Sequence, residues 1–142
     1  GPGLREQAAV SSQFINSNVE IRTAAPGPKV IDELQRAVPV AIGNWDRVLV
    51  TPLSVSPLGI VYVGRTRSGT EKWRVQIDVA DESPTVIRAY PTAADGRSAT
   101  VLVGYTALQT SETVYGAESG LAVLDALRAV VRRLDPAAAI HG

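Results

Sequence analysis

"EKWRVQIDVADESPTVIRAYP", residues 71–91, decides the fold, because apolar and polar side chains alternate on both sides of a single turn. Trp73, Val75, Ile77 and Val79 fall on one side of the first half, and Lys72, Arg74, Gln76 and Asp78 on the other. Successive strand residues point to opposite faces, so the pattern predicts a strand at 71–80 with one dry face. A slip of one residue would bury every one of those charges, which pins the inward row. "ADESP" (80–84) is turn chemistry, and the residues after it predict a return strand at 85–91.

Working outward, "SVSPLG" (54–59), "RSGTE" (67–71) and "TAADGRS" (92–98) punctuate further runs rich in Val, Ile, Thr, Tyr and Leu. They predict strands at about 46–55, 59–67 and 98–108, with Asp95-Gly96 as the strongest hairpin signal. Connections this short force antiparallel neighbours. Upstream, period-2 alternation predicts a strand at Gln13–Thr23 after a short helix-permissive segment, Leu4–Val10, whose extension through this region is the rival. Pro28 suits a first helical turn, and Val30, Ile31, Leu34, Ala37 and Val38 then share one face. Pro39 is expected to end that helix, with "VAIGNW" (40–45) as a second short helix or turn.

The segment "ESGLAVLDALRAVVRRLDP" (118–136) predicts one long helix. Leu121, Leu124, Leu127, Val131 and Leu134 make its apolar stripe, widened by Val123 and Val130. Arg132 and Arg133 complement its negative C-terminal end, and Asp135-Pro136 stops it.

The predicted fold class is therefore α+β. A curved antiparallel β-meander of about six strands grips a long C-terminal α-helix, with one or two short helices after the first strand. Gly1–Gly3 reads as a cloning scar, 4–135 as a single α+β domain, and the Ala-rich 136–142 as a flexible tail.

This order of elements resembles the START-like superfamily of helix-grip proteins, which includes Bet v 1-type allergens, polyketide cyclases and lipid-transfer domains. The resemblance spans roughly Gln13 to Leu134. Its most local piece is "VEIRTAAPGPKVIDEL" (19–34) followed by "GNW" (43–45), where a strand leads through a small-residue-Pro turn into a helix. Trp45 then marks the approach to the second strand. The resemblance implies an apolar ligand between sheet and C-terminal helix, with "QTSETVYGAESG" (109–120) as a further strand or a loop over the cavity mouth. The rival architecture is a cone-shaped NTF2-like domain, which requires residues 4–22 to be helical.

The candidate ligand-binding residues are Trp73, Tyr62, Tyr90, Tyr105, Arg65 and Trp45. Trp73 is the bulkiest inward group and equally suits core packing. Each tyrosine joins an apolar body to one hydrogen-bonding tip that can orient a ligand or polarise its carbonyl. Arg65, sharing a face with Val61 and Val63, could guard the mouth of a cavity, as against a solvated outer-face role near the hairpin end.

Much chemistry is excluded. The chain has no cysteine and one histidine, His141, next to its last residue, so thiolate catalysis and His-rich metal sites are absent, and no cofactor is implied. Fourteen basic and fourteen acidic residues give zero net charge without a basic stripe, which argues against a nucleic-acid partner. No apolar run reaches membrane-spanning length. The compartment stays open between cytoplasmic and extracytoplasmic, the latter if an anchor preceded residue 4. Three functions follow: a binder of an apolar small molecule or lipid, a polyketide cyclase or dehydratase-like enzyme without an identifiable base, and a non-enzymatic interaction module of a membrane-anchored or secretion-type system, which a homodimer through the sheet face would suit.

Overall fold

A few polar side chains set where helices end and strands begin. The computed structural model describes residues 2–43, 48–92 and 114–142. Helix α1 (Pro2–Ile15) ends where Asn16 Nδ2 donates to the Ser12 carbonyl at 2.8 Å and Ser17 Oγ to the Gln13 carbonyl at 2.7 Å. Those side chains satisfy carbonyls that the last helical turn leaves without backbone partners. Strand β1 therefore begins at Val19 and runs to Thr23, later than the alternation from Gln13 suggested. Phe14 and Ile15 are buried from the helix instead.

Helix α2 spans Gly27–Ile42 and continues through Pro39, which was expected to stop it. Val38 and Ile42 flank the proline and are both buried, so packing holds the last turn although one backbone donor is missing. Gly43, at φ 59°, closes the helix with its N–H on the Pro39 carbonyl at 3.0 Å. "VAI" (40–42) is thus the end of α2 and not a second helix.

The meander follows as β2 (Leu49–Ser56), β3 (Gly59–Arg65), β4 (Glu71–Ala80) and β5 (Thr85–Thr92). The expected strand at 98–108 lies outside the described residues. Helix α3 covers Ala117–Leu134, and β6 (Ala139–His141) follows it. The six strands form one antiparallel sheet in the order β2-β3-β4-β5-β1-β6. The α+β class, the antiparallel sheet of six strands and the long C-terminal helix agree with the sequence reading.

The tail differs from the flexible segment expected of its composition, since β6 pairs along β1 with Ile140 opposite Ile21. Asp135 makes this reversal. Its carboxylate accepts from Thr23 Oγ1 at 2.8 Å, Ala24 N at 3.0 Å and Ala137 N at 3.1 Å. The Ala24 and Thr23 bonds hold its carboxyl below the usual range. Arg132 donates to the Pro136 carbonyl at 3.0 Å and to the Ala138 carbonyl at 2.6 Å.

The core lies between one sheet face and the helices. It joins Ile60, Trp73, Val75, Ile77, Val79, Ile87, Val19 and Ile21 from the strands to Leu34 and Val38 of α2 and Leu124, Leu127 and Val131 of α3. Each such side chain contributes roughly 1.5–3 kcal/mol of transfer free energy when fully buried. Asp81 ties α2 down, accepting from Gly27 N at 3.0 Å and Thr85 Oγ1 at 3.3 Å.

Candidate functional site

Strand register sorts the candidate residues by face. Trp73, Val75, Ile77 and Val79 are buried in the core, and β3 sets Gly64 opposite Trp73, Tyr62 opposite Val75 and Ile60 opposite Ile77. Tyr62 consequently faces inward. Val61, Val63 and Arg65 alternate to the outer face, and so does Tyr90, which is paired with Gln76.

The space under the N-terminal part of α3 is occupied by Trp73. Its indole meets the Phe14 ring edge-on, with centroids 5.6 Å apart at 68°, and its Nε1–H donates to the Gly116 carbonyl at 3.2 Å. Glycines make this stack fit. A Cβ on Gly64 would fall 2.4 Å from the indole, and one on Gly120 would fall 2.3 Å from the Phe14 ring. The aromatic pair therefore nests between a strand and a helix that both lack side chains at the contact.

Beside this stack, Tyr62 is 2% exposed and its hydroxyl has no hydrogen-bond partner. Burial pushes its pKa up to about 12. A buried hydroxyl without a partner destabilises a fold by about 1–3 kcal/mol. Among the described polar side chains it is the one that the inner face leaves unsatisfied.

On the outer face the polar side chains pair with one another. Tyr90 Oη donates to Asp78 Oδ2 at 2.9 Å, and Gln76 Nε2 donates to Asp78 Oδ1 at 2.7 Å. Desolvation, and then the Asp78 hydrogen bond, raise the pKa of Tyr90. With Arg88, Asn16, Ser17 and Asn18, Tyr90 lines an open groove of about 400 Å³ at the α1–β1 turn. Glu71 accepts two bonds from Arg74, both at 3.1 Å, and one from Arg65 at 3.4 Å. The Arg74 hydrogen bond is the main reason its carboxyl sits low. A bulge that skips Lys72 in the β3–β4 register brings Glu71 to this pair of arginines.

Tyr62 and Arg65, once candidates for a shared site, thus occupy opposite faces of β3, and Tyr90 is on the outer face with Asp78. Trp45 and Tyr105 lie outside the described residues. His141 is exposed on β6, across from Glu20. Among the described residues no group of three potential metal ligands occurs, and no helix is long and apolar enough to cross a membrane.

The sequence reading passed over the flank of β2. Among the described strands this one is at the edge of the sheet, and its residues are exposed apart from half-buried Val50. Leu49 is 53% exposed, Leu53 43%, Val55 44%, and Leu58, at the β2–β3 turn, 75%. Gly116 lies against Val48, and the half-exposed ring of Tyr115 next to it carries the Lys72 ammonium 5.8 Å from its centroid. From Val48 to Gly64 the chain carries no charged side chain, a signal visible in the sequence. Comparison with family models, curated proteins and solved structures gives no match to this chain.

Proposed function

We propose that this domain is a non-enzymatic interaction module that docks a protein partner through the apolar flank of its β2–β3 hairpin. The observation that carries this reading is the exposure of Leu49, Leu53 and Val55 along an uncharged strand and of Leu58 at its turn. Contiguous exposed apolar surface is scarce on monomeric proteins and marks places where another surface fits. Two further features support it. Trp73 and Phe14 fill space that an enclosed ligand would need, and the candidate polar groups Tyr62 and Arg65 point away from each other.

Affinity retention tests the proposal. Tagged protein and its Leu53→Glu, Leu58→Glu double variant are compared for the proteins each retains from its native extract. A partner held by the first and released by the second is expected. Identical retention profiles from two equally folded proteins would sink the reading.

A second reading rests on one observation, the buried and unpartnered Tyr62 hydroxyl. In the apolar-ligand reading it donates to a carbonyl or other acceptor of a small lipid-like molecule seated at the inner face. Native mass spectrometry of the purified protein then finds an added lipid-sized mass that Tyr62→Phe reduces. A bare polypeptide mass in both removes this reading.

A further inference from the structure

Among the described strands the sheet has a second edge, and there the structure shows what lies on it. Strand β6 pairs with Glu20, Ile21 and Arg22, three of the five residues of β1. We infer that the β1 edge is a strand-receiving site, held closed by β6, which takes an extended segment of another protein when β6 is displaced. The site is separate from the β2–β3 flank and goes beyond the interaction-module reading.

The two strands are held in different ways. β1 is built into the core: Val19 and Ile21 are fully buried, Thr23 nearly so, and all five of its residues pair with β5. β6 packs one half-buried side chain, Ile140, against the core, while Ala139 and His141 are exposed. Polar bonds to the backbone hold it instead. Arg132 Nη1 donates to the Ala138 carbonyl before β6, and Arg128 Nε donates to the Gly142 carbonyl after it at 3.0 Å. Asp135 fastens the turn that leads in.

A segment with little apolar burial and solvent-exposed polar bonds opens locally, at less cost than global unfolding. When β6 opens, β1 stays on β5, and its outward N–H and C=O groups become a template for another strand. Both arginines are on α3, whose buried side is packed in the core, so they stay where an incoming carbonyl needs them.

Strand β6 also displays what fits. Ala138 is buried, Ile140 packs inward, and a Cβ on Gly142 would strike the Asn18 carbonyl. The pattern read by this edge is a small residue, an apolar residue two places on, and a glycine two places after that. A second copy of the chain offers the same β6, so exchange between copies gains nothing over the strand already tethered beside the site. A foreign segment that continues past the three pairs made by β6 extends the ladder along β1, and that gain displaces β6.

Fluorescence anisotropy with a labelled synthetic peptide of residues 136–142 tests the inference. Its apparent affinity for the unaltered protein is reduced by the fraction of molecules in which β6 is open. Asp135→Ala removes the carboxylate that fastens β6 and should tighten peptide binding about tenfold or more. A second variant closes the site. Glu20 and His141 are register partners, whose spacing in an antiparallel pair suits a disulfide, and the chain has no cysteine of its own. Glu20→Cys, His141→Cys should bind the peptide only after reduction. A peptide carrying Ile140→Asp should bind none of these proteins. Absence of peptide binding from both Asp135→Ala and the reduced double variant overturns the inference, as does binding that the disulfide leaves unchanged. An Asp135→Ala protein that dimerises by exchanging β6 overturns the choice of a foreign segment. Leu53→Glu, Leu58→Glu should leave peptide binding as it is, because β2 and β6 are at opposite ends of the strand order.

Discussion

Strands β4 and β2 both carry large apolar side chains, and these meet opposite fates. β4 carries a charged or polar residue at nearly every second position and buries the apolar row between them. β2, "LVTPLSVS", has no charge at all, yet stays exposed along almost its whole length. The difference is in what lies over each strand. β4 is central, with β3 and β5 beside it and the helices above its inner face, whereas β2 is at the edge. Apolar composition alone therefore does not place a strand in the core. Position in the sheet decides whether the same side chains stabilise the fold or remain available to a partner.

The largest expected effect breaks the β4 side of this comparison. Trp73→Ala removes the ring that α3, Gly64 and Phe14 are shaped around, and should destabilise by about 3–5 kcal/mol in denaturant unfolding. A loss below 1 kcal/mol would mean that the inner face tolerates an empty space there, as a ligand cavity would. Gly64→Ala tests the same packing from the other side. Its new methyl falls on the indole at 2.4 Å, so a loss of about 1–3 kcal/mol is expected. In a Trp73→Leu background that loss should shrink, and a double-mutant cycle without coupling would contradict the contact.

Tyr62 sharpens the comparison within the core. Tyr62→Phe deletes a buried hydroxyl that has no partner, so the variant should be about 1 kcal/mol more stable. The sign of the pH dependence follows from the raised pKa. Between about pH 10 and 12 the folded protein holds a proton on Tyr62 that the unfolded chain releases. That contribution is complete below pH 10 and is lost as pH rises through about 12. Wild-type stability should fall more steeply than that of Tyr62→Phe across this alkaline window. Parallel curves would show that the hydroxyl is solvated.

The sequence made β4 legible because charge and hydrophobicity alternate there, and only one register keeps the charges wet. Strands β3 and β5 were equally legible, but the facing of Tyr62 and Tyr90 was not. Val61-Tyr62-Val63 is apolar on both sides, and only pairing with Val75 turns Tyr62 inward. Strand β6 had no signal of its own. Three residues, Ala-Ile-His, become a strand because Asp135 turns the chain and β1 offers a free edge. The start of β1 was misplaced because Phe14 and Ile15 alternate with polar neighbours as strand residues do, while Asn16 and Ser17 close a helix. For β2 the absence of charge was readable, but edge position depends on pairing partners that are remote in sequence.

The smallest expected change in stability tests β2 and should carry the largest change in association. At 75% exposure Leu58 supports little of the fold, so Leu58→Glu should alter unfolding free energy by no more than about 0.5 kcal/mol. The same substitution sets a charge on the exposed apolar flank, and it should release the partner that the unaltered protein retains in the affinity comparison. The two readouts must separate, since a residue that contributes to packing moves both while a residue kept for a partner moves one. Were Leu58→Glu to lower stability as Trp73→Ala does, β2 would belong to the core in the same sense as β4, and its exposed apolar residues would no longer mark a docking surface.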